Sequence, residues 1–419
     1  MRSASRVTII GSGIIGLSCA CYCARRGLAV TVIDRLPAQH DGCSFGNAGM
    51  IVPSHFVPLA APGMVALGLR WMANPESPFY IQPRLDRDLL DWGWKFWRAS
   101  TAERVRAAAP VLRDLHFASR AEYEAWAAQP GVDFGLVQRG LLMLCRTARA
   151  LDEEAHYAER ARQLGVPAEV LDARETAARD PGATLDIVGS VLFPKDCHLS
   201  PARFMAALRQ ESEQRGVRFL WDTEVTSVQR DGSRIRTVST TRGDVEADEF
   251  VIAGGAWSSG LAGALGLKIP MQAGKGYSLT LAQPRQLPEL CSILTEARVA
   301  VTPMGSTLRF GGTMEMAGLN EDINAIRVRG IVKAAVQYFP AFQESDFAGI
   351  APWRGLRPCS PDGMPYLGRT RRFGNLILAT GHAMMGLSLG PITGKIVAEL
   401  ATGAPPAIDL TLLSPDRYG

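Results

Sequence analysis

The residues that could do chemistry first gather in Gly11-Ser12-Gly13-Ile14-Ile15-Gly16, and in Asp34, 18 residues past the last of these glycines. In such a turn Gly11 permits a tight bend, Gly13 lets the backbone approach a pyrophosphate, and Gly16 lets a helix pack closely on a strand. The N-terminus of the following helix offers free amides and a positive dipole end to phosphate. Asp34 can accept hydrogen bonds from a ribose diol. Cys19 and Cys23 share a helix face, but Cys21 points elsewhere and no histidine lies nearby in sequence. All three read as small buried helix residues, and no metal site is expected.

These residues need a frame. Val7 to Ile10 is a buried-strand pattern, Leu17 to Arg26 suits a helix packed on a sheet, Gly27 stops that helix, and Leu28 to Ile33 is a second buried strand. Strand, GxGxxG, helix, strand and acid in this order form a dinucleotide fingerprint, which by itself does not separate NAD from FAD. A nicotinamide enzyme is expected to continue at once into further strand–helix units. Here the chain enters the uncharged loop CSFGNAGMIVP (43–53), then a Pro- and Trp-rich region with the aromatic helix LLDWGWKFWRAS (89–100). Ala/Arg/Glu-rich helices run to about residue 129, and strand-like LLMLC (141–145) follows. Short strands with turns at Asp231-Gly232 and Arg242-Gly243 lead to the apolar FVIAGG (250–255). Residues 375–400 read as strand, glycine loop and helix. Three glycine-rich turns, each after an apolar strand, can converge on one long ligand if the dinucleotide domain is assembled from distant segments.

The ordered set GSGIIG, SFGNAG, GKGYSLT (274–280), FGGTMEM (310–316), WRGLRPCSPDGMPYLG (353–368) and ATGHAMMGLSLGP resembles the D-amino-acid oxidase superfamily of FAD-dependent amine and amino-acid oxidoreductases. The likeness covers nearly the full length and is greatest to bacterial D-amino-acid dehydrogenases. It implies an α/β fold in which a Rossmann-like FAD-binding domain (1–80, 150–265 and 352–419) is interleaved with an antiparallel-sheet α+β substrate domain (81–149 and 266–351). It also implies FAD, expected to be noncovalent because Cys359 does not match the attachment position of related enzymes. The expected contacts in the first turn are Gly11, Gly13, Ile14, Ile15 and Gly16, with Asp34 and Arg35 after the second strand. Along the uncharged loop they are Ser44, Asn47, Ala48, Gly49 and Met50; further on, Val225, Gly254, Gly255 and Trp257. In the C-terminal turn they are Gly381, His382, Met385, Gly386, Leu387 and Ser388, with Met384 also lining the flavin.

Amino-acid oxidation at a flavin moves the Cα hydrogen and two electrons to N5. The protein's task is to orient the substrate, exclude water and stabilise charge on the reduced ring. The helix after Gly381 to Ser388 is expected to point its N-terminus at that charge. The resemblance sets Arg357, in GLRP, against the substrate carboxylate. Tyr277 offers a hydroxyl to the same group, with core packing as the alternative. Lys275 either places a positive charge by the flavin or lies at the surface, and His55 either faces the substrate or is structural. Cys359 is too close to Pro361-Asp362 to match the flavin-attachment position of some sarcosine oxidases. Met50 replaces a polar residue often found in the dehydrogenases, so substrate choice can differ. The apolar ring from Met50 to His55 favours cyclic D-amino acids such as D-proline or hydroxy-D-proline. A quinone or the respiratory chain is the expected electron acceptor. The rival readings are a glycine- or sarcosine-type oxidase that makes peroxide, and a flavin-binding module without catalysis.

At 419 residues, 47% hydrophobic and 21% charged, the composition is that of a globular chain of two domains. A net charge of +4 with scattered Lys and Arg gives no nucleic-acid stripe. Eight cysteines without paired zinc-finger spacing point to a reducing compartment. Val7 to Ala24 has no charge and imitates a signal or a short span, but its glycines and the following Arg25-Arg26 argue against both. The expected location is cytoplasmic, with a peripheral contact on the inner face of the membrane left open.

Overall fold

A computed structural model describes residues 5–419. The β-branched segments Arg6–Ile10 (RVTII) and Ala29–Ile33 (AVTVI) lie side by side as parallel strands, which is the packing that such residues favour. They belong to a six-stranded sheet ordered Tyr366–Arg369, Leu376–Thr380, Glu249–Ile252, Arg6–Ile10, Ala29–Ile33, Arg218–Leu220. Only the Tyr366–Arg369 edge runs antiparallel. Between the first two strands lies the helix Ile14–Arg25, with every residue from Ile14 to Ala24 buried. That burial explains why the segment reads like a membrane sequence: it has no solvent face. It packs on Pro201–Gln214 and on Gly390–Ala401. The second contact is so close that a Cβ on Gly394 would lie 2.6 Å from the Ser18 carbonyl.

A nine-stranded sheet forms the second body. Its main path runs Trp353–Cys359, Gln272–Leu281, Thr307–Met316, Val299–Met304, Cys291–Leu294, Leu141–Cys145, Gly189–Phe193, Glu169–Asp172, and Phe79–Ile81 joins beside Thr307–Met316. Most neighbours are antiparallel. Two pairings, Cys291–Leu294 with Leu141–Cys145 and Phe79–Ile81 with Thr307–Met316, are parallel. The strands fall differently from the expected segments. Glu169–Asp172, Gly189–Phe193 and Trp353–Cys359 were assigned to the FAD-binding segments 150–265 and 352–419, yet they pair within this larger sheet. Sheet membership is set by partners far away in sequence, and short apolar strands such as GSVLF carry no mark of which sheet they join. A three-stranded meander, Val225–Asp231, Arg234–Thr240 and Gly243–Glu246, completes the β-structure with the pair Met50–Ile51 and Cys197–His198.

The aromatic helix spans Arg87–Ala99, capped by the Asp86 carboxylate accepting from the Asp88 and Leu89 amides. Trp92 and Phe96 stack on its inner side, and Trp92 Nε1 donates to the Cys359 carbonyl at 2.8 Å. The Ala/Arg/Glu region is one continuous helix, Ala102–Ala127, that absorbs Pro110 rather than breaking there. Among the described residues no helix is long and apolar enough to cross a membrane.

Candidate active site

A cavity of about 880 Å³ is lined by residues from both large sheets. At one end is the first turn. Gly11 has φ +107°, and a Cβ there would lie 2.6 Å from the Ala253 carbonyl oxygen; a Cβ on Gly16 would lie 1.9 Å from the Gly11 carbonyl. These two glycines let the strand ends and the helix approach one another, whereas Gly13 faces the cavity beside Ser44. Ser44 Oγ accepts from the Ile14 amide at 3.0 Å, which holds a hydroxyl at the helix N-terminus. Asp34 is more engaged than a free ribose acceptor. Its Oδ2 accepts from the Ser12 amide and hydroxyl at 2.7 and 2.6 Å, and Oδ1 accepts from the Leu36 amide at 2.9 Å. Arg35 lies over the Trp257 ring at 4.1 Å, and both line the cavity with Val225, Gly254 and Gly255.

The uncharged loop crosses the larger sheet. Arg309 donates to the Phe45 and Asn47 carbonyls at 3.1 and 2.8 Å, and Ser278 Oγ donates to the Gly46 carbonyl at 3.0 Å. A Cβ on Gly46 would fall 2.0 Å from the Trp353 ring. On Gly49, at φ +76°, it would fall 2.3 Å from the Leu199 carbonyl oxygen. The Gly49 amide is taken by Asn47 Oδ1 at 2.8 Å, and Gly49 does not line the cavity. At Gly46 and Gly49 the protein's own packing already excludes a larger side chain. Asn47, Ala48 and Met50 do line the cavity.

Arg357 is half-buried on the strand Trp353–Cys359. Its Nη1 donates to the Thr313 carbonyl at 2.6 Å, and it forms no ion pair among the described residues. Burial holds its pKa below the usual arginine value. The guanidinium lies where Gly276 has no side chain: a Cβ there would be 2.1 Å from Nη2. Tyr277 corrects an expectation. Its ring lines the cavity, but its hydroxyl donates to Glu315 Oε2 at 2.5 Å and accepts from the Asn324 amide, so it does not await a carboxylate. Lys275 is neither beside the cavity nor on the surface. It is buried, and Nζ donates to the Asp322 carbonyl at 2.6 Å and Asn320 Oδ1 at 3.1 Å, with Glu315 at 3.8 Å. Cys359 also lies off the cavity, with its thiol pushed up to about 12 by burial.

In the C-terminal turn His382, Met384, Met385, Gly386 and Leu387 line the cavity, whereas Gly381 and Ser388 do not. Gly381 is at φ +77° against Tyr366. The helix begins at Gly390 rather than directly after the glycine turn, with no side-chain cap. Ser388 Oγ accepts from the Val52 amide at 3.0 Å and meets His116 Nδ1 at 2.8 Å, while His116 Nε2 faces Met385 Sδ at 3.4 Å. Sulfur here only accepts, so His116 carries its proton on Nε2 and takes the Ser388 proton at Nδ1. Burial holds its pKa at about 3. Ser388 thus ties the uncharged loop to the C-terminal turn, and that turn is anchored at two points by His116. No spacing in the sequence marks it, since it lies within a long helix.

The cavity fits FAD on its own features. A glycine turn opens at a helix N-terminus, an Arg–Trp pair stands at one flank, and two buried polar atoms at its wall, His382 Nδ1 and Thr313 Oγ1, have no partner among the described residues. Sequence reasoning missed Arg298 and the apolar wall formed by Met64, Val65, Trp92 and Phe96. The wall's helical stripe reads the same for any buried helix, and Arg298 sits in a turn without a motif.

Comparison with known proteins matches the description "FAD dependent oxidoreductase" over residues 6–400. A D-amino acid dehydrogenase of Agrobacterium fabrum is 34% identical over 418 residues, covering 98% of this chain and 99% of that protein. One from Bradyrhizobium diazoefficiens is 32% identical over 422 residues, covering 99% of each. Among solved structures, glycine oxidase from Geobacillus kaustophilus superposes with a TM-score of 0.78 at 24% identity, covering 99% of this chain and 100% of that one.

Proposed function

The chain belongs to the FAD dependent oxidoreductase family, and on that premise we propose that it oxidises D-amino acids at the Cα–N bond as a D-amino acid dehydrogenase. Bound FAD supplies the acceptor for the Cα hydrogen and its electron pair. The single observation that carries the reading is Arg357, a guanidinium at the cavity wall that forms no ion pair among the described residues. Its planar fork can take a carboxylate through two parallel hydrogen bonds, which fixes the amino acid's orientation. Met50, Met64, Val65, Trp92, Phe96 and Met314 exclude water around it. The dinucleotide would be held by Gly11, Gly13, Ile14, Ile15, Asp34 and Arg35 at one end and by Asn47, Ala48, His382 and Met385 at the other. Anaerobic bleaching of the flavin across a panel of D- and L-amino acids is the test. Bleaching by D-isomers, with the half-saturating concentration raised at least ten-fold in Arg357→Met, is expected; no bleaching by any D-amino acid sinks the reading.

Within that class we favour cyclic secondary amines, supported by the apolar rim of Met50, Val52 and Val57. Strong preference for D-alanine over cis-4-hydroxy-D-proline would count against this. For the acceptor we favour a membrane quinone. The helix Arg87–Ala99 turns Leu90, Trp94 and Trp97 to solvent, 67%, 58% and 56% exposed, with Arg87 and Arg98 beside them, while its Gly93 lines the cavity. Tryptophan with arginine on one helix face suits a bilayer interface. Co-sedimentation with anionic vesicles, lost in the Trp94→Ser/Trp97→Ser double variant, is the expected result; no sedimentation of the wild type removes the membrane part of the proposal.

A further inference from the structure

Asp196 is fully buried, and nothing in the reaction just described uses it. It directly precedes Cys197–His198, the strand that pairs with Met50–Ile51 beside the cavity. Ser54 meets its carboxylate twice. The Ser54 amide donates to Oδ1 at 3.0 Å and the Ser54 hydroxyl donates to Oδ2 at 2.5 Å. The same hydroxyl oxygen lies 3.1 Å from His55 Nδ1. A serine hydroxyl has one hydrogen. Once Asp196 is ionised, above the value of about 7 to which burial raises it, that hydrogen is committed to the carboxylate and the oxygen can only accept from His55, so the imidazole proton sits on Nδ1 and Nε2 is a bare acceptor. Nε2 has no hydrogen-bond partner among the described residues, and His55 lines the cavity. Tyr157 steadies this turn by donating to the Ser54 carbonyl at 2.7 Å.

His55 is neutral. Burial first, and then the charge of Arg298, hold its pKa at about 4. Arg298 lines the same cavity at φ +52° and makes no ion pair among the described residues. A cation beside an acceptor decides what that acceptor takes. An ammonium group brought to His55 would be repelled by Arg298. A neutral hydroxyl would not, because its hydrogen can go to Nε2 while its oxygen accepts from the guanidinium.

We infer that His55 and Arg298 form a subsite that reads a neutral hydroxyl on the substrate, and that Ser54 and Asp196 are positioning residues which fix the His55 tautomer. This rests on the reading of the cavity as an amino-acid site and names the substrate class within it: hydroxylated amino acids over their unhydroxylated counterparts. His55 Nε2 accepts from the substrate O–H, and Arg298 donates to the substrate oxygen.

Asp196→Asn tests the chain of bonds at nearly constant shape. The amide oxygen can keep the Ser54 N–H, but an NH2 group now faces the Ser54 hydroxyl. The hydroxyl must then donate to His55 Nδ1, and the tautomer reverses. Nitrogen NMR of the holoenzyme with labelled histidine, recorded above pH 7 so that Asp196 is ionised, is expected to show Nδ1–H at His55 in the wild type and Nε2–H in Asp196→Asn. The kcat/KM values for cis-4-hydroxy-D-proline against D-proline, and for D-serine against D-alanine, give the discrimination ratios. The wild type is expected to favour the hydroxylated member of at least one pair about ten-fold or more, as one well-made hydrogen bond allows. That ratio falls about ten-fold in His55→Leu and in Asp196→Asn, and recovers in part in His55→Gln, whose amide oxygen can accept. Ratios near one in the wild type, equal losses on both members of a pair, or an Nε2–H proton in the wild type each overturn the inference. If no D-amino acid reduces the flavin, the substrate reading falls on its own, and the spectrum still decides the tautomer.

Discussion

Arg357 owes its place to a side chain that is missing. Gly276, on the strand next to the edge strand Trp353–Cys359, leaves the trough in which the guanidinium lies. A methyl group there would press on the end of a flexible side chain and not on backbone, so the fold can give way where the function cannot. Gly276→Ala is therefore expected to raise KM for the amino acid about ten-fold or more while the melting temperature moves by only a few degrees; steady-state kinetics and a thermal scan check both. Gly49→Ala is expected to behave in the opposite way. Its Cβ would strike the Leu199 carbonyl at a left-handed backbone position, which costs on the order of 2 kcal/mol or more. Because the clash is with the protein, denaturant unfolding of the FAD-stripped chain should show the loss as fully as the holoenzyme does. Equal stability of the two stripped proteins would contradict this.

Among the elements, the helix Ile14–Arg25 has the least freedom. Its face toward Gly390–Ala401 allows only glycine at position 394. Gly394→Val is expected to force the two helices apart, destabilise by roughly 1–3 kcal/mol and loosen FAD, read as flavin released on gel filtration. This element, with its strands and glycine turn, was legible in the sequence because its signals are local: VTII, GSGIIG and Gly27 lie within 21 residues, Val7 to Gly27. The C-terminal strand and its turn were legible for the same reason. Tyr277 and Lys275 were not. Both belong to GKGYS, but a motif does not reveal that Glu315, 38 residues on from Tyr277, occupies the hydroxyl of one and faces the ammonium of the other. The uncharged loop was legible as special, and its cause was not. The side chain that excludes bulk at Gly46 is Trp353, more than three hundred residues away in the chain.

For the molecule as a whole, burial sets the response to acid. Burial holds His116 and His382 at about 3 and, as the main cause, His55 and His198 at about 4. Each then binds fewer protons folded than unfolded between about pH 4 and 6.5, so stability rises with pH across that window and is lost on acidification. Asp196 acts in the opposite sense, since burial raises it to about 7. Near pH 5 these five groups give a net uptake of about three protons on unfolding, four from the histidines less one from Asp196. The melting temperature is therefore expected to fall steeply from pH 6.5 to 4; a flat profile would contradict the burial of these rings. Such a response could not be read from the sequence, in which six histidines stand scattered without pattern.

The order of strands in the smaller sheet has a consequence for how the protein is made. Arg6–Ile10 is made long before its neighbour on one side, Glu249–Ile252, and before Leu376–Thr380, which lies beyond that. Through most of synthesis the nascent chain carries an apolar strand with one open edge, and the C-terminal turn that faces the first glycines across the cavity arrives last. The cavity is complete only when residues 11–15 and 382–387 are both in place, so a chain halted between them is expected to hold FAD poorly, which the flavin absorbance of a purified fragment would show.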